Sequence, residues 1–218
     1  DFNPILQKFG LNLQGKMNDN VVLRSVFKDM TLTSNVTIDD LVINDVKLGK
    51  AKFGFNNMLS KNEFAADIRM SYNEPNSGQI IPLSIKGRVN LADKNDNLDL
   101  KVDMQEFDIR IIENYLSSLS SYVRGKISAE NLLVKGKFTQ PHIAGSLKIK
   151  DGAMKIDMLN TTYSFDDELF VNDNIFTMDN FVLQDAQKNK ITINGTITHD
   201  NFTNFDLNLK AKADKIKV

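Results

Sequence analysis

Apolar and polar residues alternate with period two along most of this chain, the signature of strands with one face buried and one in water. The clearest runs are Phe64–Met70, Ile81–Leu91, Leu98–Met104, Ile143–Ile149, Ala153–Met158, Lys190–Ile197 and Phe205–Ala211. Between them stand Asn73–Gly78, Asp93–Asn97, Asp151-Gly152 and Gln187–Asn189, rich in Gly, Asn and Asp, which tolerate positive φ in turns. Neighbouring strands are therefore expected to pair as antiparallel hairpins.

One stretch changes period. From Phe107 to Tyr122 the residues Ile109, Ile112, Tyr115, Leu116 and Leu119 recur at three and four, which predicts a helix, with Gly125 as its stop. Pro4–Phe9, ahead of Gly10, is a second and weaker helical candidate.

The pattern also repeats at long range. Val36–Asp45 followed by Lys50–Phe53 aligns without a gap with Phe176–Asp185 followed by Lys190–Ile193, with Thr37/Thr177, Asp39/Asp179, Val42/Val182, Asp45/Asp185 and Lys50/Lys190 identical. Self-similarity of this kind points to an extended repeat architecture with a long working surface. The expected fold is all-β: a long, curled, antiparallel-rich sheet enclosing an open groove, with one or two short helices. Its first β-groove repeat would occupy residues 1–106 and its second, continuous with it, residues 107–218.

A sheet with one apolar face must cover that face with a second sheet, its own fold-over, helices, a partner or lipid. A single short helix is too small for the task, so the sheet either closes as a sandwich core or leaves an apolar trough. Met and Phe are frequent at inward positions (Met30, Phe53, Met70, Met104, Met154, Met158, Phe165, Phe176 and Met178), and flexible thioethers suit a surface that meets ligands of varied shape.

Composition narrows the chemistry. The 218 residues are enough to bury a core, and a formal net charge of −1 supplies no field for nucleic acid. Cysteine is absent, which removes disulfides, thiolate catalysis and Cys-ligated zinc. No apolar run is long enough for a membrane-spanning helix or a signal peptide. The chain opens at Asp1 and closes in the charged stretch Lys210–Lys217, and so reads as an internal piece of something longer.

Catalytic signals are weak. His142 and His199 sit at strand edges or turns, where a structural or exposed role is expected, and no nucleophile elbow or phosphate loop accompanies them. Asp39-Asp40 and Asp166-Asp167-Glu168 read as solvated acids. Asp93–Asn97 opens like a calcium loop but has Leu98 where glycine should bend it and Met104 where a bidentate Glu is required. No enzyme activity, metal or cofactor is expected.

The second half carries an ordered motif series: Gly136-x-x-x-x-Pro141-x-x-x-Gly145, Asp151-Gly152-Ala153, Tyr163-Ser164-Phe165, Phe181–Asp185 and a Gly195-containing strand before His199-Asp200. This series resembles the C-terminal translocation and assembly module domain of TamB-type proteins, members of the AsmA-like superfamily of bridge-like lipid-transfer proteins. The resemblance covers about residues 107–218 and reaches the first half through the internal repeat. It departs after Asp185, where the family often has Asp-x-x-Gly-Asn and this chain has Ala186-Gln187-Lys188-Asn189.

The resemblance implies a taco-shaped β-fold in the periplasm of a Gram-negative cell envelope. The full-length protein would be anchored in the inner membrane and would meet an outer-membrane Omp85-type barrel through its C-terminal region. The implied function is phospholipid transport between the two membranes and outer-membrane biogenesis, with acyl chains and neighbouring repeats as partners.

The expected groove lining in the second repeat is Leu147, Ile149, Met154, Ile156, Tyr163, Phe165, Phe176, Met178, Leu183, Ile191, Ile193, Ile197, Leu207 and Leu209. In the first it is Ile38, Ile43, Phe53, Ile68, Leu83, Ile85, Leu100 and Val102. A structural or adhesive β module with a closed core and a protein partner is the alternative. A polysaccharide enzyme ranks third, because without Trp an aromatic platform is hard to assemble.

Overall fold

The computed structural model describes residues 12–24, 31–60, 63–74, 78–90, 92–93, 95–117, 119–200 and 203–213. Its strands are β1 (Leu13–Arg24), β2 (Thr31–Ile43), β3 (Val46–Ser60), β4 (Glu63–Glu74), β5 (Gly78–Asn90), β6 (Leu98–Asp108), β7 (Val123–Lys137), β8 (Gln140–Ile156), β9 (Thr161–Asn172), β10 (Ile175–Gln184), β11 (Lys190–Asp200) and β12 (Thr203–Ala213). They form one 12-stranded antiparallel sheet in chain order, with β1 and β12 at its edges and no barrel closure. The chain is thus all-β, as the alternation predicts. It divides into two compact units, 1–105 with 130–143 and 106–129 with 144–218.

Three local expectations change. The period-three stretch forms a 3-10 helix at Ile109–Leu116, while Phe107 and Asp108 still belong to β6. Ile109 and Ile112 lie three apart, the spacing that stacks side chains on a 3-10 turn, and Asp108 caps the start by accepting a 3.0 Å hydrogen bond from the Arg110 N–H. Gly125 ends no helix; it is the third residue of β7.

Asp151-Gly152 is likewise no hairpin turn but an interior point of β8, a single strand of 17 residues. The reversal comes later, after the short 3-10 turn Asp157–Leu159, at Asn160 in the left-handed region (φ 46). Gly125 and Gly152 serve close approach instead. A Cβ on Gly125 would sit 2.9 Å from the Gly152 Cα, and one on Gly152 would sit 2.5 Å from the Phe165 ring. The candidate helix Pro4–Phe9 lies outside the described residues.

The rule that organises the sheet is a recurrent break in alternation. In β2 the apolar face passes from Ile38 to Leu41, in β8 from Ile149 to Gly152 and in β10 from Met178 to Phe181, each a step of three where strict pleating steps by two. Each is a β-bulge containing a non-glycine residue at positive φ: Asp40 (52°), Asp151 (51°) and Asn180 (54°). β6 and β7 make the same step, from Met104 to Phe107 around Glu106 (50°) and from Ala129 to Leu132 around Asn131 (53°).

The extra residue disturbs the ladder, and a side chain on the neighbouring strand repairs it. Ser128 Oγ accepts from the Glu106 N–H at 3.1 Å, Asp103 Oδ1 from Asn131 N–H at 2.8 Å and Asn194 Oδ1 from Asn180 N–H at 2.7 Å. Asp166 Oδ1 does the same for the Asp151 N–H. Four of the five left-handed residues are Asp or Asn, which tolerate that region; Glu106 is the exception.

The internal repeat is preserved in the bulge but not in the hairpin. Leu41 and Phe181, equivalent in the two copies, are almost wholly buried at 0% and 2% exposure. Val36, however, pairs with Phe53, whereas Phe176 pairs with Ile197, whose counterpart is Asn57. The first hairpin turns tightly through Asn44-Asp45, both at positive φ as a type I′ turn needs. The second uses the longer loop 185–189, where Asp185 accepts from the N–H groups of Gln187 (2.9 Å) and Asn189 (2.8 Å).

Holding a non-glycine residue left-handed costs about 1–2 kcal/mol, partly offset when glycine's greater chain entropy is lost. Glu106→Gly should therefore raise stability by up to about 1 kcal/mol, and Glu106→Val should lower it by at least about 1 kcal/mol. Denaturant midpoints of the two variants check the assignment.

Candidate functional site

Residues paired across antiparallel strands share a face, so register decides which predicted side chains meet. In the first unit, Ile68 pairs with Ile85 and Met70 with Leu83; Ile85 then pairs with Val102, Leu83 with Met104 and Gly87 with Leu100. Ile68, Leu83, Ile85, Leu100 and Val102 thus occupy one face. In β2, Ile38 pairs with Ala51 and Ile43 with Val46, all four buried. Phe53 is paired with Val36 and Ile68, and its side chain lies outside those described.

The opposite face of this unit is a lattice of charge. Arg88 bridges Glu63 at 3.0 Å and Asp99 at 2.9 Å, Lys135 approaches Asp99 at 3.4 Å, and Arg69 holds Asp67 at 2.8 Å. Arg88's hydrogen bond holds the Asp99 carboxyl below its ordinary range. These pairs are exposed and contribute little to stability. They keep that face in water.

In the second unit the fourteen expected residues all fall on a single face. Met154 pairs with Tyr163, Gly152 with Phe165, Leu147 with Leu169, Ile149 with Asp167 and Ile156 with Thr161. Phe176 pairs with Ile197, Met178 with Gly195 and Leu183 with Ile191. Leu207 and Leu209 pair with Ile197 and Gly195, and Ile193 with Ala211.

The centre of this face is Ile149, Phe165, Phe181 and Ile193, with Ile127, Met154, Leu169, Met178, Leu183, Ile191 and Leu209 packed around them. The rings of Phe165 and Phe181 lie 5.6 Å apart, tilted by 49°. Tyr163 and Val171, outside this centre on the same face, are buried as well, whereas Leu207 on β12 is 46% exposed.

Sequence reasoning leaves out Leu41 and Phe181, the most buried large side chains described in the two copies. Strict alternation from Ile38 or Met178 turns them toward solvent, and only the bulge brings them inward. The available signal was Asp39-Asp40 and Asp179-Asn180, residue types suited to a left-handed step. Alternation along β9 sets Asp167 between Phe165 and Leu169 on this face, where its carboxylate accepts from the Val182 N–H at 2.8 Å and the Glu168 N–H at 2.8 Å.

His199 also differs from expectation. It lies inside β11 on the apolar face, 7% exposed, with Phe176 at 5.1 Å and Phe205 at 6.0 Å between ring centroids. Burial lowers its pKa from the ordinary 6.5, opposed by the nearby Asp200. His142 is exposed near the start of β8.

The polar side of the second unit holds an open depression lined by Asp108, Arg110, Arg124, Lys126, Asp151, Ser164 and Asp166. Its charges are largely engaged internally. Arg110 pairs with Asp108 at 2.7 Å, Lys126 approaches the same carboxylate at 3.8 Å, and Asp166 caps the β8 bulge. Burial opposes ionisation of Asp108, but the hydrogen bonds from Arg110 outweigh it and its carboxyl sits below the usual range.

Among the described residues no cluster of three or more His, Cys, Asp or Glu is arranged to hold a metal ion, and no helix is long and apolar enough to cross a membrane. Compared with known family models, curated proteins and solved structures, the chain matches none.

Because the fold lowers the pKa of His199, the unfolded chain binds more protons between the two values, and stability must fall as pH drops from about 6.5 through the folded pKa. His199→Phe should remove this component. The comparison is of denaturation midpoints for both proteins between neutral and mildly acidic pH.

Proposed function

We propose that this chain is a groove-forming segment of a TamB-like envelope protein, carrying phospholipid acyl chains along the apolar face of its sheet between inner and outer membranes. The observation that carries the reading is the agreement of one apolar face across β8 to β12, maintained through the bulges of β8 and β10, with all the described strands in one sheet. Uneven burial supports it: Ile149, Phe165, Phe181 and Ile193 are packed, while Leu207 on the same face is 46% exposed and open to a ligand.

Hydrocarbon moved from water to such a surface gains roughly 0.8 kcal/mol per methylene, or something like 12 kcal/mol for a chain of about sixteen carbons. Relative to a bilayer the difference is near zero, so lipid enters from one membrane and leaves into another without a deep trap. Headgroups remain on the water side. In this reading the segment works in the periplasm as part of a longer chain anchored in the inner membrane. An Omp85-type barrel would receive its C-terminal region, and outer-membrane biogenesis would depend on the lipid delivered.

A second reading is favoured by the packed centre itself. Ile149, Phe165, Phe181 and Ile193 are as buried as an ordinary core, which suits a structural module binding a protein partner through its polar face. An apolar dye separates the two, since only an accessible face binds it in the native state.

Ile193→Asp puts a charge at the centre of the apolar face, and Thr192→Asp puts it on the opposite side of the same strand. Transfer of labelled phospholipid between vesicles should be lost in the first and retained in the second. Equal activity of the two folded variants would overturn the assignment.

A further inference from the structure

β12 is an edge strand, and among the described residues no strand pairs with its outer side. Natural edges are usually protected by charged side chains, lysine above all, by proline or by a bulge; β12 carries Lys210 and Lys212, but Asp206 on the same face gives the edge an opposite charge with which they can pair. Asn204 (φ 49) marks an irregularity at the start, but from Asp206 to Ala213 the pairing with β11 is unbroken and the strand contains no Pro or Gly. Phe205, Leu207, Leu209, Ala211 and Ala213 share the apolar face; Asp206, Asn208, Lys210 and Lys212 share the other.

We propose that β12 pairs antiparallel with β12 of a second copy of this chain, about a two-fold axis through Asn208. A two-fold that keeps apolar residues on one face must pass through a residue, because an axis between residues would set polar side chains beside apolar ones. Centred on Asn208, the ladder sets Asp206 against Lys210 twice, Leu207 against Leu209 twice and Phe205 against Ala211 twice.

Charge, size and face are thereby complementary together. The half-exposed Leu207 gains an apolar neighbour, and the two apolar faces become continuous across the junction. An axis through Leu209 is the nearest competitor, and it sets Asp206 against Lys212 instead.

The inference is independent of lipid binding. The wild-type chain should sediment as a dimer. Asp206→Lys and Lys210→Asp each set two like-charge pairs across the junction and should weaken association by about ten- to a hundred-fold. Mixed one to one, the two variants restore both opposite-charge pairs, so native mass spectrometry should find a heterodimer.

Because the chain has no cysteine, Asn208→Cys provides a second readout: it should form an intermolecular disulfide on mild oxidation while still folded. A monomeric wild type, or a mixture that fails to form heterodimer, would overturn the proposal. Rescue of Asp206→Lys by Lys212→Asp, and not by Lys210→Asp, would overturn the register.

Discussion

The rest of the structure depends on the left-handed bulge residue and the side chain that satisfies its backbone. An antiparallel sheet twists, and a long strand cannot keep one set of side chains on the apolar side without correction. At Asp40, Asp151 and Asn180 the extra residue resets which positions face inward, and the almost wholly buried Leu41 and Phe181 follow immediately after two of them. Ser128, Asp103, Asp166 and Asn194 each supply the acceptor that a bulged N–H would otherwise lack. Polar residues on the water face therefore determine the continuity of the apolar face.

This arrangement separates two kinds of work. The polar face carries exposed ion pairs such as Arg88 with Glu63 and Asp99, which keep the sheet in solution and contribute little to stability. The apolar face supplies the cohesion through Phe165, Phe181, Ile149 and Ile193; in the proposed reading its exposed positions hold hydrocarbon at a free energy close to that of a membrane interior. His199 belongs to the apolar face as well, and its neutral form is the one that burial favours.

Strand identity and face were largely readable from alternation, because period two is what half-buried strands require. Within each run the residues named for the second repeat keep to one face for that reason, whereas Ile149 and Met154, and Met178 and Leu183, each five apart, share it only because a bulge lies between them. Leu41 and Phe181 were not readable, since a bulge breaks the period just before each. The same cause explains Asp151-Gly152, whose residue types suit a turn and a bulge equally well; Phe165, distant in sequence, occupies the space a side chain at Gly152 would need. Ile109–Leu116 had a helical period, but its three-residue spacing served a short 3-10 turn. The internal repeat aligned without gaps, yet the two copies use different turns and pair in different registers, a difference set by hydrogen bonds that alignment does not record.

The central claim is that the apolar face receives acyl chains, and contact can be measured directly. The chain contains no Trp, so a single Trp placed at Met154, on that face, reports on it alone, and one at Lys155 reports on the reverse. Phospholipid brominated along its acyl chains should quench the Met154→Trp fluorescence and leave Lys155→Trp unchanged. Equal quenching at both positions, or none at either in the folded proteins, would contradict the account.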